Sequence, residues 1–310
     1  MQNLGKVVVL LGGHSSEREV SLMSGEGGLK ALRKKGGDAH AFDPARDPLE
    51  ALLEGGYERA FIALHGGMGE NGTIQGLLNY LRLPYTGPGV AASAASFDKE
   101  VTKTLWRAEG LPAPEGRVMT GDEDDEILET VIRELGATGL VVKPGRDGSS
   151  IGVSKLDRPT TTSLREALKL AKSLCDEILV EEYIRGREFT VAVLDGRALP
   201  VIEIRAPEGS YDFQNKYYTD VVSYDCPANL SEEESAALRE YCEKAFRAVG
   251  ARGWSRIDAL RRADGRFALL EINTAPGMTP HSLVPMAARA EGMDYGALCV
   301  KLLEGARIDE

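Results

Sequence analysis

The sequence predicts an α/β protein, with a parallel-sheet unit at the N-terminus followed by two smaller α+β units. Three observations carry that expectation. Short β-branched runs alternate with helical patterns over the first third of the chain, the rhythm of a parallel sheet. Asp-Gly pairs between alternating apolar runs mark antiparallel hairpins in the last third. The length, 310 residues, points to roughly two domains at about 150 residues each, and a chain this long buries a large core without disulfide or metal staples.

Lys6 to Leu11 (KVVVLL) is an apolar run ended by Gly12-Gly13, as expected of a buried strand. A helical pattern runs from about Glu17 to Lys35 and stops at Gly36-Gly37. Ser15 or Ser16 is its expected N-cap. His40 to Asp43 and Arg59 to Leu64 are the next strands, followed by a helix near Thr73 to Leu81. These elements fill the first unit, 1–98. A helix near Lys99 to Ala108 leads into Leu111-Pro112-Ala113-Pro114, a boundary signal, and Asp122 to Glu126 reads as a solvated helix start. The strand Gly139 to Lys143, the loop Pro144 to Ser150 and extended chain over Ile151 to Ser154 follow. A helix over about Ser163 to Leu174 and the strand Ile178 to Glu182 close the second unit, 99–183. The third unit, 184–310, opens with Phe189 to Leu194, the turn Asp195-Gly196, and Ala198 to Arg205. A second hairpin joins Arg256 to Arg262 with Phe267 to Asn273 through Ala263-Asp264-Gly265. Between the hairpins lie a long polar loop, Ala206 to Ser223, and a helix whose start, Ser231 with Glu234, matches a capping box.

Composition excludes several classes. Lys and Arg number 37 against 48 Asp and Glu, a net charge of −11, which argues against a general nucleic-acid-binding surface. The 35 glycines follow no collagen-like period and read as tight turns and close backbone approaches. Cys175, Cys226, Cys242 and Cys299 stand far apart without a CxxC pair, as scattered reduced thiols do. The opening apolar run is too short for a signal peptide, and no stretch approaches a membrane span, so a soluble cytoplasmic protein is expected.

Three segments carry chemistry. In Leu269-Leu270-Glu271-Ile272-Asn273, strand alternation puts Glu271 and Asn273 on one face and Leu270 and Ile272 on the other. Asp258 stands on the partner strand of the same hairpin. Three oxygen-bearing side chains on one face, without His or Cys, suit Mg²⁺ bound together with substrate phosphates. The same pattern also describes a polar, solvent-facing strand. Val141 to Ser150 (VVKPGRDGSS) is a strand running into a glycine loop, where backbone N–H groups and Lys143 can approach phosphate; a polar surface turn is the plainer alternative. No Walker A motif and no strict G-x-G-x-x-G occurs. Gly12-Gly13-His14-Ser15-Ser16-Glu17-Arg18-Glu19 lies between the first strand and its helix, where open parallel sheets bind ligands. A carboxylate there can hold an ammonium group, although helix capping also accounts for Glu17 and Glu19.

In their order along the chain these segments resemble the ATP-grasp carboxylate–amine ligases, and among them the D-alanine–D-alanine ligases. The resemblance runs from Val7 to about Leu303. It rests on Leu10 to Gly13 with Ser16 to Ser21, Ala63 to Gly66, Glu70 to Gly76, Pro84 to Gly87, Val142 to Pro144 and Gly148 to Ser150. It continues through Lys216-Tyr217, Gly253 to Asp258, Glu271 to Asn273, and Pro276 to Thr279 with His281 to Pro285. Glu-x-Asn alone indicates only ATP-grasp. Gly145, Ser210, Ala275 and Pro280 depart from the family's usual string, at positions without an assigned catalytic role.

The resemblance implies an ATP-grasp fold, in which a parallel-sheet domain precedes two α+β subdomains that clamp ATP. It implies ligation of two D-alanines through a D-alanyl phosphate, for peptidoglycan precursor synthesis. Asp258, Glu271 and Asn273 are then expected to hold two Mg²⁺ ions, for which Mn²⁺ can substitute. Lys99, Lys143 and, from the lid loop, Lys216 are expected at the ATP phosphates. Glu181, Glu182, Tyr183 and Ile184 are expected to read adenine with Leu270 packed on the base, and Glu188 to bind the ribose. Glu17 is expected to hold the ammonium of the first D-alanine, with Val20 and His65 nearby, and Ser149 and Tyr217 to link Glu17 to the lid. Arg256 and the Gly277 N–H are expected to stabilise the tetrahedral intermediate, and Ser282 and Leu283 to bind the second carboxylate. A homodimer is the expected assembly, with the apolar N-terminal strands available for its interface, and neither nucleic acid nor membrane is an expected partner. The competing readings are a D-alanine–D-lactate or other ATP-grasp ligase, and a nucleotide-sensing module without turnover.

Overall fold

The structure, a computed structural model, describes residues 4–146, 148, 151–206 and 222–309. Its first sheet is parallel, with strand order β2-β1-β3: β1 is Lys6–Leu10, β2 Asp38–Phe42 and β3 Arg59–Ile62. Val9 pairs with Ala41 on one side and with Phe61 on the other. The unbroken apolar run of β1 has a simple cause, because both faces of the sheet are covered. Val7 and Val9 enter one core with Leu32 of α1 (Arg18–Lys34), while Val8 and Leu10 enter another with Leu52 of α2 (Leu49–Glu54) and Leu78 of α3 (Thr73–Tyr80). These strand side chains are spent inside the subunit, which corrects the expectation that they could line a dimer interface.

The second sheet is antiparallel, in the order β4-β7-β5-β6 (Gly116–Met119, Ile178–Glu182, Leu140–Pro144, Ser154–Leu156). Leu140, Val142, Ile178 and Val180 pack under α6 (Asp125–Leu135) and α7 (Thr161–Lys172). Alternation therefore turns Lys143 and Glu181 to the opposite face, away from those helices. Ile151 and Gly152 form a turn, not the extended chain expected there.

The third sheet is antiparallel, with β8 (Arg187–Leu194) between β10 (Ile202–Arg205) and β12 (Trp254–Arg261), and with β11 (Ser223–Asp225) and β13 (Phe267–Asn273) at its edges. The short β9 (Arg197–Ala198) follows Asp195-Gly196, whose φ values of 51° and 79° are those of a type I′ hairpin turn. Residues 198–205 do not form the single strand expected. Pro200, lacking an N–H, falls in the gap between β9 and β10. β8 also serves two cores. Phe189, Val191 and Val193 face Trp106 of α5 (Lys99–Ala108) and Leu238 and Phe246 of α8 (Glu232–Ala248), whereas Ala192 and Leu194 join the core of the first sheet. The last helices, α9 (Leu283–Ala290) and α10 (Tyr295–Glu304), return to that same core through Val284, Leu298 and Leu302. Among the described residues no helix is long and apolar enough to cross a membrane.

Several helix starts follow side-chain chemistry, and α1 does not. Ser231 and Glu234 form the reciprocal capping box, and Asp124 caps α6. At α1 the N-cap residue is Glu17, without a side-chain cap. Ser15 instead accepts the Glu17 N–H at 3.2 Å and donates to the His65 carbonyl at 2.5 Å, so it ties α1 to the end of β3.

Asp43, just past β2, accepts from the N–H groups of Gly13 and Ala45, each at 3.0 Å, and from Arg18 at 3.1 and 2.6 Å. The Arg18 guanidinium above all holds its carboxyl well below the usual carboxylate range. A depressed carboxyl contributes stability above its unfolded pKa, and that stability is lost as pH falls below about 4. Urea unfolding of Asp43→Asn is expected to show a loss of about 2 kcal/mol at neutral pH and a flatter acid limb than the parent; equal acid limbs would remove Asp43 from the account.

Candidate active site

Antiparallel pairing of β12 with β13 sets Arg256 opposite Asn273 and Asp258 opposite Glu271. All four side chains therefore emerge from one face, as residues two apart on paired strands must. The pairing slips between Asp258 and Ala259, where Leu270 is the extra residue. Leu269 and Ile272 both enter the core beneath. The bulge thus overturns the expected grouping of Leu270 with Ile272, because strict alternation fails at an inserted residue, and Leu270 is left half-buried.

Asp258 is saturated. Its carboxylate accepts from Arg256 at 2.9 and 2.8 Å, from the Thr190 hydroxyl at 2.6 Å and from the Asn273 amide at 3.3 Å. A carboxylate only accepts, so the Asn273 nitrogen faces it and the amide oxygen turns elsewhere. Glu271 is about one-third exposed, and its Oε2 lies 4.0 Å from the Lys99 ammonium, at the first position of α5. The donor set of Glu271, the Asn273 oxygen and, if Arg256 releases it, Asp258 fits a hard cation that draws its other ligands from phosphate or water. Among the described residues no cluster of three or more His, Cys, Asp or Glu arranged for a metal occurs, so the protein donors alone are few.

Glu70, Lys99, Gly148, Glu271 and Asn273 line one pocket beside this face. Glu17, the N-cap of α1, lies beside the Gly148 that lines it. A Cβ on Gly66 would stand 2.6 Å from its Oε2, and one on Gly148 3.1 Å, so small residues on both sides admit the carboxylate. Burial, then the neighbouring carboxylates of Glu17 and Glu271, raise the Glu70 carboxyl to about 8. Val20 is buried one turn beyond Glu17. His65 is buried too, and burial pushes its imidazole down to about 4. Both its ring nitrogens are engaged, by the Ala275 carbonyl at 2.7 Å and the Ser24 hydroxyl at 2.8 Å.

On the second sheet, Lys143 meets Glu181 at 2.6 Å, and Lys103, one turn after Lys99, pairs with the same carboxylate. Lys103 is wholly buried, and burial draws its ammonium down to about 7. Burial opposes the charge on Lys143 as well, but Glu181 outweighs it and the net shift is upward. The Glu182 carboxylate accepts from Arg262 at 2.7 Å and from the Glu115 N–H at 3.0 Å. Tyr183 and Ile184 continue beyond β7, with an Arg185 guanidinium 4.8 Å over the Tyr183 ring and Ile184 buried. Glu188 stands on β8 opposite Leu260 and Ile204. Gly277 lies where a Cβ would be 3.2 Å from the Ser282 hydroxyl. Ser282 is the N-cap of α9 and Leu283 its first residue, so the Leu283 N–H belongs to a helix end that favours anions. Ser149, Lys216 and Tyr217 lie outside the described residues, as does nearly all of the expected lid loop.

Sequence reasoning passed over Lys103, Glu70, Thr190 and Ser24. Lys103 had a signal, since a lysine four residues after Lys99 shares its helix face. Thr190 and Ser24 had none, because their partners are 68 and 41 residues away.

Residues 43–88 match the family described as D-ala D-ala ligase N-terminus, and residues 105–304 the family described as D-ala D-ala ligase C-terminus. The chain is 53% identical to the D-alanine–D-alanine ligase of Aromatoleum aromaticum, over 98% of this chain and 96% of that protein. It is 52% identical to that of Paracidovorax citrulli, over 99% and 91%. Among solved structures it resembles D-alanine–D-alanine ligase from Bacillus anthracis complexed with ATP, at a TM-score of 0.83 and 28% identity over 97% of this chain and 96% of that one. It also resembles the VanG D-Ala:D-Ser ligase from Enterococcus faecalis, at a TM-score of 0.82 and 26% identity over 96% and 98%.

The Lys103–Glu181–Lys143 group predicts an order of stabilities. Glu181→Gln strands two buried lysines and is expected to cost about 3–5 kcal/mol, whereas Lys103→Met leaves Glu181 paired with Lys143 and should cost clearly less. Chemical denaturation of the two variants gives the comparison; the reverse order would show that Glu181 is not the group's keystone.

Proposed function

The chain belongs to the D-alanine–D-alanine ligase family, and we propose that it joins two D-alanines to D-alanyl-D-alanine at the expense of ATP, for peptidoglycan precursor synthesis. The observation that carries the reading is the convergence of Arg256, Asp258, Glu271 and Asn273 on one strand-pair face, in a chain half identical to ligases of that name along nearly its whole length.

A carboxylate resists attack by an amine because oxide is a poor leaving group. In the first half-reaction a carboxylate oxygen of one D-alanine attacks the γ-phosphorus of ATP, ADP departs, and an acyl phosphate forms. In the second, the amine of the other D-alanine loses a proton and attacks the acyl carbon, and phosphate leaves from the tetrahedral intermediate. Glu17 binds the first ammonium. Lys99, Lys143 and Lys216 bind phosphate oxygens, and Lys143 must loosen its pair with Glu181 to do so. Lys103 remains as that carboxylate's counter-charge. Glu181 to Ile184 and Leu270 receive the adenine, and Glu188 the ribose. Glu271, Asn273 and Asp258 would hold two Mg²⁺ ions, or Mn²⁺, whose charge would offset that of the phosphates. Arg256 gives up Asp258 as it turns to the developing oxyanion, which the Gly277 N–H also meets. Ser282 and the Leu283 N–H hold the second carboxylate at the start of α9.

ATP as co-substrate puts the reaction in the cytoplasm, and the family's pattern favours a homodimer. Retention of Asp258, Glu271, Asn273 and Arg256 argues against a nucleotide-sensing module without turnover. The test is phosphate release from ATP with and without D-alanine, together with identification of the product. D-alanine-dependent release and the dipeptide are expected, and chelation or Glu271→Gln should lower turnover by orders of magnitude. Release independent of D-alanine would sink the reading.

Tyr217, linked to Glu17 through Ser149 in the family's pattern, guards the choice of acceptor. Tyr217→Phe is expected to retain ATP binding while admitting a hydroxy acid. With D-alanine and D-lactate supplied together at neutral pH, a product ratio equal to the parent's would remove Tyr217 from that role.

A further inference from the structure

Two buried contacts hold the segment Ala275 to Met278 from outside the third sheet, and a third joins the residues that make them. The Ala275 carbonyl meets His65 Nδ1 at 2.7 Å, His65 Nε2 meets the Ser24 hydroxyl at 2.8 Å, and the Met278 N–H donates to that same hydroxyl at 3.0 Å. Ser24 and Met278 are fully buried and His65 nearly so.

The direction of each bond is determined. Burial, and after it the Arg256 charge, favour the neutral imidazole, with a Glu70 oxygen 3.9 Å from Nδ1 as the carboxyl that faces it; the neutral ring carries one N–H and one lone pair. A carbonyl can only accept, so the proton sits on Nδ1. Nε2 is therefore an acceptor, and Ser24 must donate its hydroxyl proton to it. The Ser24 oxygen then has a lone pair for the Met278 N–H. Reversing any one bond leaves a buried polar group unpaired.

We infer that Ser24 and His65 are positioning residues, a one-way relay by which the first unit of the protein sets the place of the Gly277 N–H. This rests on the reading of Gly277 as an oxyanion donor. The segment is held at the Ala275 carbonyl, at the Met278 N–H and again at the Met278 carbonyl, which accepts from the Tyr295 hydroxyl at 2.5 Å. Gly277 lies inside that clamp. Glu17, the proposed ammonium anchor, is the N-cap of the helix that carries Ser24. Seven residues separate the two, two helical turns or ~10.5 Å along one face. One rigid helix thereby spaces the ammonium anchor from the oxyanion donor. His65 then has no ring nitrogen left for substrate, and its part is to hold the loop rather than to bind D-alanine.

The test has two arms. On the unaltered protein, ¹⁵N NMR of the imidazole rings is expected to show His65 protonated at Nδ1, bare at Nε2, and unchanged from pH 6 to 8. A proton on Nε2, or titration within that range, would overturn the relay. In the second arm, Ser24→Ala is expected to lower kcat about 10- to 100-fold with the KM for ATP and for the first D-alanine within about twofold. Affinity for a tetrahedral phosphinate analogue should fall by the same factor as kcat/KM, and Ser24→Thr, which keeps the hydroxyl, should recover most of the loss. Unchanged kcat and phosphinate affinity in Ser24→Ala, with the tautomer as expected, would overturn the positioning role. If the parent protein itself shows no D-alanine-dependent phosphate release, it is the ligase reading that fails, and the tautomer still decides the relay.

Discussion

The site depends first on the register of one strand pair. Arg256 with Asn273 and Asp258 with Glu271 face each other across β12 and β13. A slip of one residue in either strand would send that strand's two polar residues into the core below. The bulge at Leu270 lies immediately past this quartet, so the ladder is interrupted only after the polar residues are set. Beneath it, Ile257, Ala259, Leu269 and Ile272 are almost fully buried, and moving them to the polar face would forfeit that burial. The apolar side of the pair is what holds the polar side in place.

That polar face would be inert without the first sheet. β8 and the helices α9 and α10 contribute to the same core as β1, which brings the loop beyond β3 and the start of α1 against the segment after β13. Ser15, Ser24 and His65 bridge these elements with short, directed hydrogen bonds. Apolar burial supplies the broad attraction, and the few polar bridges choose one arrangement within it.

Several charges beside the cleft are paired within the protein. Asp258 is held by Arg256, Glu181 by Lys103 and Lys143, and Glu271 lies near Lys99. Buried ions left alone cost several kcal/mol each, so each of these charges is stable only with its partner in place. Glu70 stands apart from this balance, because burial and two neighbouring carboxylates favour its neutral form.

Elements whose signals are local were legible in the amino-acid order alone. KVVVLL announced a buried strand, Ser231 with Glu234 a helix start, and Asp195-Gly196 a hairpin turn. Glu-x-Asn, with Asp258 on a partner strand, announced a shared face, because strand alternation is fixed by the backbone itself. The family was legible for the same reason, its motifs being short and ordered along the chain. Tertiary structure decided what depends on distant partners. The break at Pro200 and the bulge at Leu270 answer to neighbouring strands. Lys103 becomes a buried ion only because α5 is laid against the second sheet. Ser24 and His65 are ordinary residues until folding sets them 2.8 Å apart. A hydrogen bond needs its atoms placed within a few tenths of an ångström, and across 41 residues of chain only the packing of the whole protein supplies that.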